Sequence, residues 1–190
     1  KGAKVTGVDF SRQSISIAKK LEKQKPLGIK YYQSDISNLH FLKNKKFDFA
    51  IADMIFVTVP TQKKYIRIIK EVKNVLKTNG EVIISKGHPA NFNRKGKSEH
   101  YKLTYEKEPS YFGSLIPQKI EMNINGKKVE WTNYHRTLED FLKPWLENGF
   151  VIVDINEPKP SKQYLMRFPE HLSGTEKLPH FIIFNLRRLN

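Results

Sequence analysis

Short apolar runs alternate with longer amphipathic stretches along the first half of the chain. "AKVTGVD" (3–9) is a near-continuous apolar run that stops at Asp9. Residues 11–24 follow with Ile15, Ile17, Ala18 and Leu21 on one helical face behind Ser11, a residue type that caps helices. "LGIKYYQSD" (27–35) predicts a second strand ending on Asp35, and "FDFAIADM" (47–54) a third with Asp53 near its end. A helix is predicted over 60–76, with Pro60 near its start and Ile66, Ile69, Val72 and Leu76 at helical spacing. Gly80 is placed to stop that helix, and "TNGEVIIS" (78–85) turns into a fourth strand.

From about 87 to 134 the rhythm breaks into a polar, aromatic stretch, then two alternating runs around Asn125-Gly126, a strong hairpin signal. It then resumes. "TLEDFLKPWLENGF" (137–150) predicts a helix with Thr137 as N-cap, Asp140 at the capping-box spacing and Gly149 as stop. Pro144 inside it predicts a kink or break. "FVIVDINEP" and "HFIIFNLRR" predict two closing strands. Strands alternating with helices need crossover connections, and near-continuous apolar strands are those covered on both faces. The expectation is a doubly wound α/β fold with a mostly parallel sheet: residues 1–86 and 135–190 form the core, and 87–134 an insertion carrying the hairpin.

The 190 residues fit one domain with a proper core. No apolar run approaches the roughly 20 residues a membrane helix needs, and "KGAKVTGVDF" has no apolar segment followed by a small-residue cleavage site. No membrane partner and no leader are expected. The absence of cysteine excludes disulfides and thiolate metal sites and suits a reducing cytoplasm. The six histidines are dispersed with no His-x-x-x-His spacing, so no metal is expected. The net charge of +15 would attract nucleic acid, yet the basic residues are spread out, with short clusters at "KNKK" and "RKGK". A nucleic-acid partner is open but not favoured.

Asp9, Asp35 and Asp53 recur at strand ends, where open parallel sheets bind ligands. A carboxylate there can accept both hydroxyls of a ribose; Asp35 could accept from an adenine amino group while the Ile36 N–H meets a ring nitrogen. Each Asp could instead cap the next helix, as Asp35 would for a helix near 37–43.

At these residues the sequence resembles the class I S-adenosylmethionine-dependent methyltransferases. "VTGVDFS" resembles their second strand with its ribose-binding acid, "YYQSDISNL" the adenine-reading segment, "FDFAIADMIF" the fourth strand and "LKTNGEVIIS" the fifth. "SKGHPANF", "YHRTLEDFLKPWLENGF" and "INEPKP" resemble the His-Pro, His-Arg, Gly-Phe and Glu-Pro pattern of a bacterial subgroup. The likeness covers essentially the whole chain. It implies a Rossmann-like fold, S-adenosylmethionine as cofactor, and cofactor contacts at Asp9, Phe10, Asp35, Ile36, Asp53 and Met54. Nothing upstream of Asp9 matches the strand and glycine-rich loop that open the family's domain, so one βα unit is expected to be lacking.

The implied reaction moves a methyl group from a sulfonium to a nucleophile, which needs in-line geometry and exclusion of water more than strong acid–base help. The 87–134 insertion is then an acceptor lid. His88 and His135 are the catalytic candidates beside it, and Tyr111 and Arg136 the substrate-binding ones. Each has a plainer role open to it: His88 ending a strand, Tyr111 packing on Phe112, His135 satisfying a carbonyl, Arg136 pairing with Glu139 or Glu157. A small-molecule acceptor is expected. RNA methylation is the second enzyme reading, although "ADMIFVTVP" lacks the Asn-Pro-Pro-Tyr type of tetrad that base methylation would favour. A non-catalytic remnant acting as a binding protein is the third. A dehydrogenase would also use Asp9, but nothing downstream suggests a nicotinamide site.

Overall fold

The computed structural model describes residues 2–91, 101–105, 110–124, 126–167 and 179–190. The "RKGK" cluster and Asn125 lie outside these. Strand β1 (Thr6–Asp9) leads through helix α1 (Arg12–Gln24) to β2 (Lys30–Gln33), and the two strands pair in parallel. Ser11 caps α1 by accepting from the Ser14 N–H at 3.2 Å. Of the predicted apolar face only Ile15 is buried; Ile17 and Leu21 are 53% and 58% exposed.

The main sheet has four strands in the order β3-β4-β9-β8: β3 (Phe47–Asp53), β4 (Leu76–Gly87), β9 (Phe181–Arg188) and β8 (Phe150–Asn156). Here β3 and β4 run parallel, whereas β9 is antiparallel to both its neighbours. The expected mostly parallel sheet therefore has one parallel and two antiparallel pairings, because the last strand enters between β4 and β8 in the reverse sense. Helices α2 (Gln62–Val75) and α3 (Leu138–Glu147) cover one face, burying Tyr65, Ile68, Phe141 and Trp145 against Val82, Ile84, Phe184 and Leu186. The edge strand β8 differs from the doubly wound expectation: Val151, Ile152, Val153 and Ile155 are 37–49% exposed, although Ile152 and Ile155 pair with Leu186 and Phe184 and so share the helix-covered face.

Local departures have local causes. The buried stripe of α2 is Tyr65, Ile68, Ile69, Val72 and Val75, so Ile66 falls beside it. Leu76, expected as the last turn of that helix, already has extended backbone and begins β4. Gly80 is not a helix cap but lies within β4, where an added Cβ would sit 2.9 Å from the Lys77 carbonyl oxygen and 3.2 Å from that of Asp48. The turn there is made by Asn79 at φ +62°. Helix α3 starts at its predicted N-cap, with the Thr137 hydroxyl accepting from the Asp140 N–H at 3.0 Å, and runs through Pro144 without interruption.

Within 87–134, β5 (Tyr101–Tyr105), β6 (Pro117–Ile124) and β7 (Lys127–Tyr134) form a separate antiparallel sheet; β6 and β7 pair from Pro117–Tyr134 to Ile124–Lys127. Strand β5 was not legible in the pattern. Nor was the short helix α4 (Lys162–Arg167). No helix among the described residues is long and apolar enough to cross a membrane.

Candidate functional site

Past the C-terminal ends of β3 and β4 lies a cavity of about 150 Å³. Its walls come from Met54 after β3, Lys86 to Pro89 at the end of β4, Asn133 to Arg136 at the end of β7, and Gln118 and His180. The strand register produces this convergence: β4 runs on past the Asp53–Ser85 pair that ends β3, and β7 ends just before α3 begins.

Of the residues singled out in the sequence, Met54, His88, His135 and Arg136 meet at this cavity. Met54 takes the left-handed conformation, φ +53°, rare for a side chain of its size. It is held there because its N–H donates to the Ser85 carbonyl at 3.1 Å and to the Ser85 hydroxyl at 3.2 Å.

His88 is positioned on all sides. Its N–H donates to the His180 carbonyl at 2.8 Å, and its Nδ1 accepts from the Ala90 N–H at 3.1 Å. The ring proton therefore belongs on Nε2, which lies 2.7 Å from Glu157 Oε1. His135 is buried, with Nε2 2.8 Å from the Tyr111 carbonyl oxygen, so Nε2 carries a proton and donates. Burial pulls the basicity of His135 below that of a free imidazole; the Tyr111 carbonyl works against this and Lys86 adds to it.

Arg136 is 2% exposed and pairs with neither Glu139 nor Glu157. Its guanidinium donates to the main-chain carbonyls of Phe56 at 3.3 Å and Val59 at 2.7 Å and lies over the Tyr65 ring, 4.6 Å from its centre. The Tyr65 hydroxyl in turn donates to the Phe141 carbonyl and accepts from Trp145 Nε1–H, both at 2.8 Å. Tyr111 does not line the cavity. It stacks edgewise on His135 and on Phe112, which is itself 87% exposed, so the pair is no core.

The strand-end carboxylates lie outside the cavity. Asp9 Oδ1 accepts from the Ser11 N–H at 2.7 Å, and Asp35 Oδ1 from the Ser37 N–H at 2.9 Å. Asp35 Oδ2 is paired with Lys64 at 2.7 Å. Partial burial raises the Asp35 pKa, but Lys64 and the Ser37 donors outweigh it, so the net direction is down. Asp53 accepts from the Ser85 hydroxyl in a short hydrogen bond. Phe10 is 75% exposed, and Ile36 packs half-buried on the core.

The residue that the sequence did not mark is Lys86. It is 4% exposed, donates to the Arg136 carbonyl at 3.2 Å and lies 4.6 Å from the centre of the Phe141 ring. Burial, with the Arg136 charge adding and Asp140 opposing, lowers its pKa to about 7. Its one sequence signal was a lysine on the inward register of a strand, after Val82 and Ile84. Among the described residues no group of acidic or histidine side chains could hold a metal ion.

A family model described as a methyltransferase domain matches residues 1–142. Among solved structures, an S-adenosylmethionine-dependent methyltransferase from Clostridium acetobutylicum superposes with a TM-score of 0.71 at 17% identity, over 99% of this chain and 76% of its own. One from Mesorhizobium loti gives 0.68 at 19%, over 97% and 80%. The N-methyltransferase NodS from Bradyrhizobium japonicum, in complex with S-adenosyl-L-homocysteine, gives 0.58 at 11%, over 98% and 67%. At these identities the likeness establishes the fold. No curated protein sequence matches the chain.

Proposed function

The chain belongs to the methyltransferase domain family, and on that premise we propose that it transfers a methyl group from S-adenosylmethionine to a small-molecule acceptor. The carrying observation is that Met54, directly after the Asp53 strand end, also forms a wall of the cavity. One residue thus joins the strand-end carboxylates to a half-open cavity of small-molecule size.

The residues at the strand ends suit the cofactor. Asp9 spends one carboxylate oxygen on the Ser11 N–H, which leaves the other for a ribose hydroxyl. The Ile36 N–H has no acceptor among the described residues and suits a ring nitrogen of adenine. Asp35 would accept the adenine amino group only by sharing its oxygens with Ser37 and Lys64. When bound, S-adenosylmethionine supplies an electrophilic methyl group on a sulfonium. Phe10 and Met54, which directly follow Asp9 and Asp53, would supply apolar contacts to it.

On the acceptor side, the β5–β7 sheet acts as the lid: Gln118 of β6 and Asn133 and Tyr134 of β7 wall the half-open cavity and limit the water that reaches the nucleophile. His135 is the proton acceptor of choice: it is kept neutral near pH 7 by burial, and its Nε2–H is anchored to Tyr111. His88 is a positioning residue, since Ala90 and Glu157 engage both its ring nitrogens. Arg136 ties the lid exit to the turn after β3. On the same reading the protein works in the cytoplasm, which its lack of cysteine suits.

The test is methyl transfer from radiolabelled S-adenosylmethionine into a cell extract separated into small-molecule and RNA fractions. Label in the small-molecule fraction, lost with His135→Ala, is the expected result. Label in the RNA fraction moves the +15 net charge to the centre of the account. No label in either leaves the chain a binding protein.

A further inference from the structure

The cavity holds a charge imbalance. Its walls include the cations Lys86 and Arg136 and neither an Asp nor a Glu, with Asp140 acting on both from outside. Lys86 and Arg136 are 4% and 2% exposed, and neither pairs with a carboxylate among the described residues. Arg136 Nε is a buried donor with no acceptor. Burying one unpaired cation costs several kcal/mol, and a methionine of similar reach would avoid that cost at position 86. Two neighbouring cations are worse, unless an anion joins them.

We propose that this cavity binds a carboxylate group of the methyl acceptor, with the Lys86 ammonium as its counter-ion and the Arg136 guanidinium beside it. The proposal rests on the methyltransferase reading, which it narrows to acidic acceptors. The volume is suitable: about 150 Å³ is the size of an apolar cavity that holds benzene, so a carboxylate with a small body fits. Gln118 and Asn133 offer amides to the rest of the molecule. The anion would also restore full protonation to Lys86, whose charge is opposed by Arg136 and supported by Asp140 alone.

The experiment is calorimetric titration of the full chain with benzoate and with its neutral isostere benzamide, with and without S-adenosylhomocysteine. It is run near pH 7.5 in two buffers of different ionisation enthalpy. We expect benzoate to bind at least about tenfold tighter than benzamide, with proton uptake seen as a buffer-dependent heat. Lys86→Met should abolish both the preference and the uptake, and circular dichroism checks that it folds. Lys86→Arg should keep the preference but not the uptake. Equal affinities, no benzoate binding at millimolar concentration, or a preference unchanged in Lys86→Met overturns the proposal. Benzoate selectivity without any S-adenosylhomocysteine binding would keep the anion site and refute the cofactor reading instead.

Discussion

His88 and Glu157 meet across the top of the main sheet: Nε2 of the first lies 2.7 Å from Oε1 of the second, joining the end of β4 to the segment after β8. The histidine side chain is 10% exposed and the glutamate 52%. With Nδ1 accepting from Ala90, the contact is a hydrogen bond from Nε2–H to a carboxylate half in water, and solvent screens it. Glu157→Gln should cost under about 1 kcal/mol in urea unfolding. Its larger effect should be on methyl transfer, because His88 forms part of the cavity wall. Activity that falls no further than stability would remove the positioning role.

Tyr65 offers a sharper test of the core. Tyr65→Phe keeps the ring under Arg136 but strands the buried Trp145 indole N–H and removes one donor from the Phe141 carbonyl. A loss of about 1–3 kcal/mol is expected from equilibrium denaturation. A neutral substitution would mean that water replaces the hydroxyl.

Lys86 makes stability depend on pH in a defined sense. Its folded pKa, about 7, lies below the ordinary 10.5, so between these values the unfolded chain holds more protons. Stability from this group therefore rises as pH rises from about 7 to about 10.5. Arg136 stays charged throughout. The difference in stability between wild type and Lys86→Met should grow in favour of wild type over that window, measured by urea unfolding at several pH values.

Gly80→Ala tests the close approach in β4. The new Cβ would meet two backbone oxygens, which cannot swing aside as a side chain would. Destabilisation of about 1–3 kcal/mol is expected from thermal or urea unfolding.

The elements with strong period and clear punctuation were legible: α1 from Ser11, α3 from Thr137 to Gly149, and the β6–β7 hairpin. Strand direction was not, since the apolar run of β9 reads alike in either sense. Exposure of the edge strand β8 was equally hidden, because Val151 to Ile155 look like a strand buried on both sides. At the site, the sequence placed His88, His135 and Arg136 near the strand ends but not their partners. Arg136 is held by carbonyls, which carry no residue identity and leave no trace in a sequence. Lys86 escaped notice for a related reason: a lysine at a strand end reads as solvated, and only the packing of α3 buries it.

The central claim, a cofactor site at the ends of β1 and β2, is tested most directly by calorimetric titration of the chain with S-adenosylhomocysteine. The account predicts saturable binding at one site per chain, weakened by Asp9→Ala at the ribose contact. A folded chain that gives no binding heat at any temperature tried, and no thermal stabilisation by the ligand, would contradict it.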